Sequence, residues 1–193
     1  ASVAGVTVTE EARKIGESVC SGRSAAVLLG NFAQQHPQAA QLQVLANLLG
    51  TLTGATVSLL AEGANSTGGY VAGAIPLKGG LNAAAQLRQP LKAYLLLGVE
   101  PELDSADGAV ALSTLAAAKT VIALSPFKSA AALEYADVIL PVSPSTETSG
   151  TFISLEGRVQ SFYAAAKPLG ETRPAWKVLR VLGNLLDVAG FDF

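Results

Sequence analysis

Two polar stretches hold most of the side chains able to do chemistry. The first is Glu62-Gly63-Ala64-Asn65-Ser66-Thr67-Gly68-Gly69, where Asn65 can hydrogen-bond its own turn and the glycines permit left-handed backbone. The second runs from Glu147 to Gln160 and contains Glu147, Thr151, Ser154, Glu156 and Arg158. Arg158 can pair there with Glu147 or Glu156, and a carboxylate–guanidinium pair fixes geometry more reliably than it adds stability. Each stretch reads more readily as a shaped loop or a structural ion network than as a catalytic set, because ion pairs also perturb charges without function.

Other chemistries lack the residues they need. His36 and Cys20 are each the sole member of their type. One thiol cannot supply the four ligands of an iron–sulfur cluster or close a disulfide, and one His with one Cys offers no zinc spacing. Cys20 reads as a small buried hydrophobe or an idle surface thiol. His36 precedes Pro37 at a predicted helix start, which suits a capping or surface role. No serine sits in G-x-S-x-G, so a hydrolase has no support. No G-x-G-x-x-G or Walker sequence occurs. Gly30-Asn31-Phe32 follows a predicted strand, but a sharp turn needs glycine with or without a ligand.

The elements that must position these residues alternate between short apolar runs and helical patterns. Glu10 to Ser21 predicts a helix capped by Thr9, with Glu10 and Glu11 at its positive end. Pro37 opens a helix to about Leu52. Short helices follow at 83–87, 108–117 and 130–135, and Pro174 opens the last, closed by Gly190. Strands are expected at 25–29, 56–60, 92–97, 120–124, 138–140, 151–155 and 159–162. Glu62 to Gly80 reads as a long glycine-rich connection. Strands joined through crossover helices imply an α/β fold, doubly wound and Rossmann-like, with a mostly parallel sheet, and a single domain over 1–193. Ligands of such sheets bind beyond the carboxyl ends of strands, so the candidate loops are 30–36, 62–73, 98–108 and 125–129.

Half of the residues are hydrophobic and 15% are charged, against roughly 25% in an ordinary soluble domain. The net charge of −2, without a basic run, and the sparse aromatics argue against a nucleic-acid partner. From Ser24 to Ala61 there is no Asp, Glu, Lys or Arg, and Leu42 to Leu60 mimics a membrane span. Gly50, Gly54 and interspersed polar residues favour a buried helix running into a buried strand, so no direct membrane insertion is expected. Ala1-Ser2-Val3 lacks a basic leader. Phe191-Asp192-Phe193 looks like a cut just after a helix.

Ala136-Asp137-Val138-Ile139-Leu140-Pro141, then Glu147, Gly150-Thr151-Phe152 and Ser154-Leu155-Glu156-Gly157-Arg158-Val159-Gln160, resembles a hallmark of the molybdopterin oxidoreductase superfamily. Its pattern is roughly A-D-V-x-L-P, a Glu, then G-T-x-x-N-x-E-G-R-x-Q. Lys92 to Pro101 looks like the family's strand ending in G-x-N-P, and Pro174-Ala175-Trp176 matches its following helix. Within the superfamily, Glu62 to Ser66 and Glu156 to Gln160 are most similar to the large iron–sulfur subunits of bacterial NADH–quinone oxidoreductases. That resemblance implies a piece of a respiratory complex on the cytoplasmic side of the inner membrane, in a peripheral arm, with the other subunits of the complex as partners. It implies iron–sulfur clusters in a cysteine-rich upstream part, and no cofactor, metal or catalytic residue in this portion. A formate-dehydrogenase-type enzyme binding a dinucleotide cofactor is the alternative, and an independent nucleotide-binding Rossmann protein the third reading.

The departures from the family pattern concern the cofactor. Gly98-Val99-Glu100-Pro101 places an acid where relatives carry an amide near phosphates. Two like charges ~4 Å apart repel by about 4 kcal/mol at an effective dielectric of 20. Ser125 stands where relatives often place an Asp, and Ser154 replaces the usual Asn. The expected vestigial pocket therefore comprises Glu100, Ser125, Glu147, Thr151, Ser154, Glu156 and Arg158.

Overall fold

A computed structural model describes residues 5–192, so Ala1-Ser2-Val3 and Phe193 lie outside the described residues. The chain forms two compact units. One holds the chain up to Ala72 together with Phe152–Gln160, and the other holds the remainder.

In the first unit, helix α1 (Glu10–Ser21) starts as its sequence dictates: Thr9 Oγ1 accepts from the Ala12 amide at 3.1 Å. Strand β1 (Ala26–Leu29), a short helix α2 (Asn31–Gln34) and helix α3 (Ala39–Thr53) lead to strand β2 (Thr56–Leu59). The two strands pair in parallel, Ala26 opposite Thr56 and Leu29 opposite Leu59. Helix α3 supplies the crossover that a parallel pair requires and packs on both strands. It ends at Gly54, whose φ of +74° is the left-handed stop a glycine accepts without strain. Gly50 lies where α3 comes closest to β2; a Cβ there would sit 2.5 Å from Val57 Cγ2 and 2.9 Å from the Ala55 carbonyl. Helix α4 (Ser66–Val71) closes this part of the unit.

The second unit is built on a three-stranded parallel sheet, β3 (Ala93–Leu97), β4 (Thr120–Ser125) and β5 (Val138–Pro141), in that spatial order. Helices α5 (Ala83–Arg88), α6 (Pro101–Asp104), α7 (Gly108–Ala116) and α8 (Ala130–Tyr135) lie between or before the strands. Asn82, Asp107 and Ser129 cap α5, α7 and α8 with side-chain oxygens. The core gathers Tyr94, Leu115, Val121, Ala132 and Tyr135, with Leu96 and Ile139 packed against it. Buried Tyr94 keeps its hydroxyl satisfied, accepting from Leu91 N at 2.9 Å and donating to Gln86 O at 3.0 Å. Strands β6 (Gly150–Ile153) and β7 (Val159–Phe162) pair as a hairpin whose outer part, Phe152–Gln160, belongs to the first unit, and helix α9 (Ala175–Leu185) follows in the second.

The fold is α/β and Rossmann-like, with its parallel strands divided between two sheets and the hairpin kept apart. Two expectations change. The long connection after Glu62 contains α4, whose glycine-rich sequence has low intrinsic helix propensity and is held by packing instead. Helix α3 begins at Ala39, because Pro37 belongs to the preceding turn. Among the described residues no helix is long and apolar enough to cross a membrane. The stretch 42–60 divides into most of α3, Gly54 and β2, and it is not the buried run expected: of α3 only Ala46 and Gly50 are buried, and Leu52 and Leu60 are exposed.

The two helical glycines at 16 and 50 should respond oppositely. Gly16 in α1 faces open space, so Gly16→Ala should add up to about 1 kcal/mol by urea titration. Gly50→Ala should cost about 1–3 kcal/mol through overpacking against Val57. Equal effects of the two changes would contradict the packing of α3 on β2.

Candidate functional site

Beyond the carboxyl end of β2 the chain turns through Ala61-Glu62-Gly63-Ala64 into α4, and the tip of the β6–β7 hairpin reaches this turn. Ser154 N donates to Arg158 O at 3.0 Å and Gly157 N to Ser154 O at 2.9 Å; Gly157 takes the left-handed conformation at φ +80°. Asn65 Oδ1 accepts from the Ile153 amide at 2.9 Å, tying residues 88 positions apart. Asn65 therefore bonds the hairpin, where a bond within its own turn was expected. Its carboxamide fills the space in which a Cβ on Gly68 would stand, so that position has room only for glycine. Between turn and hairpin lies a cleft of about 330 Å³, lined among others by Glu62, Thr67, Ser154 and Glu156.

The structure brings Ser154 and Glu156 together at this cleft, and Arg158 closes the hairpin turn through its backbone. The expected ion pair of Arg158 with Glu147 or Glu156 is not formed. The Glu147 carboxylate instead accepts from Leu169 N at 2.9 Å, holding the segment that leads to α9. The Thr151 and Ser161 hydroxyls bond across the hairpin at 2.9 Å. Gly150 is needed there because a Cβ would meet the Phe162 ring at 2.7 Å.

Glu100 follows β3 and Ser125 is the last residue of β4, strands paired in parallel so that both residues belong to one end of the sheet. The Ser125 hydroxyl is occupied locally: it donates to Phe127 O at 2.9 Å and accepts from Phe127 N at 3.1 Å. The backbone N–H of Glu100, at the start of α6, donates to Asp104 Oδ2 at 2.7 Å. That amide is the donor a phosphate would seek at a helix start, and the chain satisfies it with its own carboxylate. Glu102 adds a third acid, one of whose oxygens is buried without a hydrogen-bond partner. Tyr135, only 7% exposed, has its phenol pushed up to about 12, first by burial and then by the negative charges of Glu102 and Glu100. Phosphates placed at this strand end would face three acids and an amide already engaged. Sequence reasoning named Glu100 and missed Asp104, Glu102 and Tyr135. The acids spaced through Glu100-Pro101-Glu102-Leu103-Asp104 were the available signal, since an acid in a first helical turn can reach back to the cap.

The isolated residues find structural duties. His36 Nδ1 accepts from Gln38 N at 3.0 Å within the exposed turn ahead of α3, which has no side-chain cap, and Cys20 is an exposed thiol. Among the described residues no group of three or more His, Cys, Asp or Glu could hold a metal ion. Asp137 of the A-D-V run clamps β4: its carboxylate accepts from Val121 N at 2.8 Å and its own N–H donates to Val121 O at 2.9 Å.

Asn65→Ala should speed hydrogen exchange at the Ile153 amide and cost about 1 kcal/mol. Gly68→Ala should do the same by displacing the Asn65 carboxamide. Unchanged exchange at Ile153 in either variant would refute the tether. Tyr135 supplies a pH signature. Its phenol is neutral in both folded and unfolded states below the ordinary value of 10.0, and its contribution to stability is then complete. As pH rises toward about 12 the unfolded chain ionises first and that contribution is lost. Tyr135→Phe should therefore flatten the fall in stability across this alkaline window in denaturant titrations, and an identical fall would contradict the raised phenol.

The Molybdopterin oxidoreductase family matches residues 9–185. A Staphylococcus aureus protein of a bovine strain, named "Putative formate dehydrogenase", is 51% identical over 59 residues. A second, of the same name from strain COL, is 49% identical over 59 residues. The matched stretch covers 31% of this chain and only 6% of each relative. The family match, by contrast, takes in both parallel sheets, the hairpin and α9, and on that ground the chain belongs to the molybdopterin oxidoreductase family.

Proposed function

We propose that this chain is a non-catalytic structural module of the large iron–sulfur subunit of a respiratory NADH–quinone oxidoreductase. In this reading the clusters are carried elsewhere in the subunit. The module sits in the peripheral arm on the cytoplasmic side of the inner membrane and serves electron transfer from NADH to quinone by supporting its neighbours. The observation that carries the reading is the acidic end of β3. Glu100, Glu102 and Asp104 crowd the place where the family pattern calls for an amide near phosphates, and Asp104 takes up the Glu100 amide. The likeness of Glu62 to Ser66 and of Glu156 to Gln160 to that subunit supports the same branch of the family.

A second reading is favoured by the names of the similar proteins: a part of a formate-dehydrogenase-type enzyme that contributes to binding a dinucleotide cofactor. The two readings separate in the native assembly recovered through a tag on this chain. The proposal expects NADH-dependent quinone reduction that survives Glu100→Gln and Ser125→Ala with rates changed less than about twofold, since neither residue touches a reacting group. Formate-dependent reduction by the assembly, abolished by the same substitutions, would overturn it.

A further inference from the structure

We propose that the cleft beyond the carboxyl ends of β1 and β2 receives an arginine side chain presented by a neighbouring protein subunit. The cleft is about 380 Å³ and is lined by Gln34, Gln35, Gln43, Glu62 and Tyr70 among apolar neighbours. Its polar groups are biased toward accepting. Gln34 Nε2 spends its hydrogens on Leu29 O at 2.9 Å and Leu60 O at 2.7 Å. Gln35 Nε2 donates to Glu62 Oε2 at 2.7 Å, and Gln43 Nε2 to Asn47 Oδ1 at 3.1 Å. Gln34 has thus spent both amide hydrogens on the chain's own acceptors, and Gln35 and Gln43 one each. The carbonyl oxygens and the second Glu62 oxygen remain for a ligand rich in donors.

Charge points the same way. No Lys or Arg lines the cleft, and from Ser24 to Ala61 the chain carries no Asp, Glu, Lys or Arg. Glu62 therefore acts alone, and an anion would meet repulsion with nothing to offset it. A guanidinium supplies several N–H donors in a planar fork suited to a carboxylate and stacks on aromatic faces. Tyr70 is 69% exposed at this cleft, and Phe32, 93% exposed, lines an adjoining one that shares Gln35. A free small cation would leave these rings in water. An arginine carried on a protein surface would cover them, and a neutral, aromatic surface around one charge is the composition of an interface centre. The proposal rests on the reading of this chain as a supporting module within an assembly.

The test uses the full chain with three probes: N-acetyl-arginine N-methylamide, the matching citrulline compound, which is neutral and nearly isosteric, and adenosine. Binding is read from the side-chain amide signals of Gln34, Gln35 and Gln43 by NMR. The arginine compound should shift them saturably, citrulline far less, and Glu62→Gln should weaken arginine binding by about tenfold. Glu62 is exposed, so E62Q should keep the circular dichroism of the parent. Equal response to citrulline, indifference to E62Q, or no shift with any probe would overturn the docking proposal alone. Adenosine moving these signals in place of arginine would overturn both the docking proposal and the cofactor-free reading beneath it.

Discussion

Asp137 grips the main chain of Val121 from both sides, its carboxylate on the amide and its amide on the carbonyl, and this double bond sets β5 against β4. Parallel strands gain little from local pairing and depend on register and on covered faces. With Asp137 in place, Ile122 lies opposite Val138 and Ser125 opposite Pro141. Val121 then turns its side chain into the core with Leu115, Tyr94 and Tyr135. Burial of Tyr135 in that core sets its hydroxyl against Glu102 and raises its phenol. The acidic character of the sheet end thus follows from the packing beneath it.

The same logic gives the residues of the family hallmark structural duties. The Asp of the A-D-V run is a backbone clamp, and the Glu147 carboxylate holds the Leu169 amide. Gly150 makes room for Phe162, and Gly157 takes a left-handed turn. Each residue has a structural duty that would keep its type even where no cofactor is bound. The chain departs from the pattern at Glu100, Ser125 and Ser154, and the two serines have taken local hydrogen bonds of their own.

Much of the architecture was legible in residue order. Apolar runs such as Ala26–Leu29 and Ala93–Leu97 read as strands from their shortness and bounding turn residues, and Thr9, Asp107 and Ser129 marked helix starts through their own oxygens. Helix α4 was not legible, because Ser-Thr-Gly-Gly-Tyr-Val carries no helical preference. It exists through Gly68 admitting the Asn65 carboxamide and through Asn65 reaching Ile153. At the site, local chemistry was readable and distant pairing was not. Glu100 stood out by its type, whereas the partners of Glu147 and Asn65, 22 and 88 residues away, depend on the folded chain. Arg158 shows the opposite failure: nearby carboxylates in sequence suggested an ion pair that the turn geometry does not make.

The central claim is that this chain's strand ends do not hold a dinucleotide cofactor. Native mass spectrometry of the full chain with added molybdopterin guanine dinucleotide addresses it directly. The account predicts a folded protein without a specific adduct, and Glu100→Asn alone should not restore one while Glu102 and Asp104 remain. A stoichiometric adduct on the unaltered chain, lost when the cofactor's phosphates are removed, would contradict it.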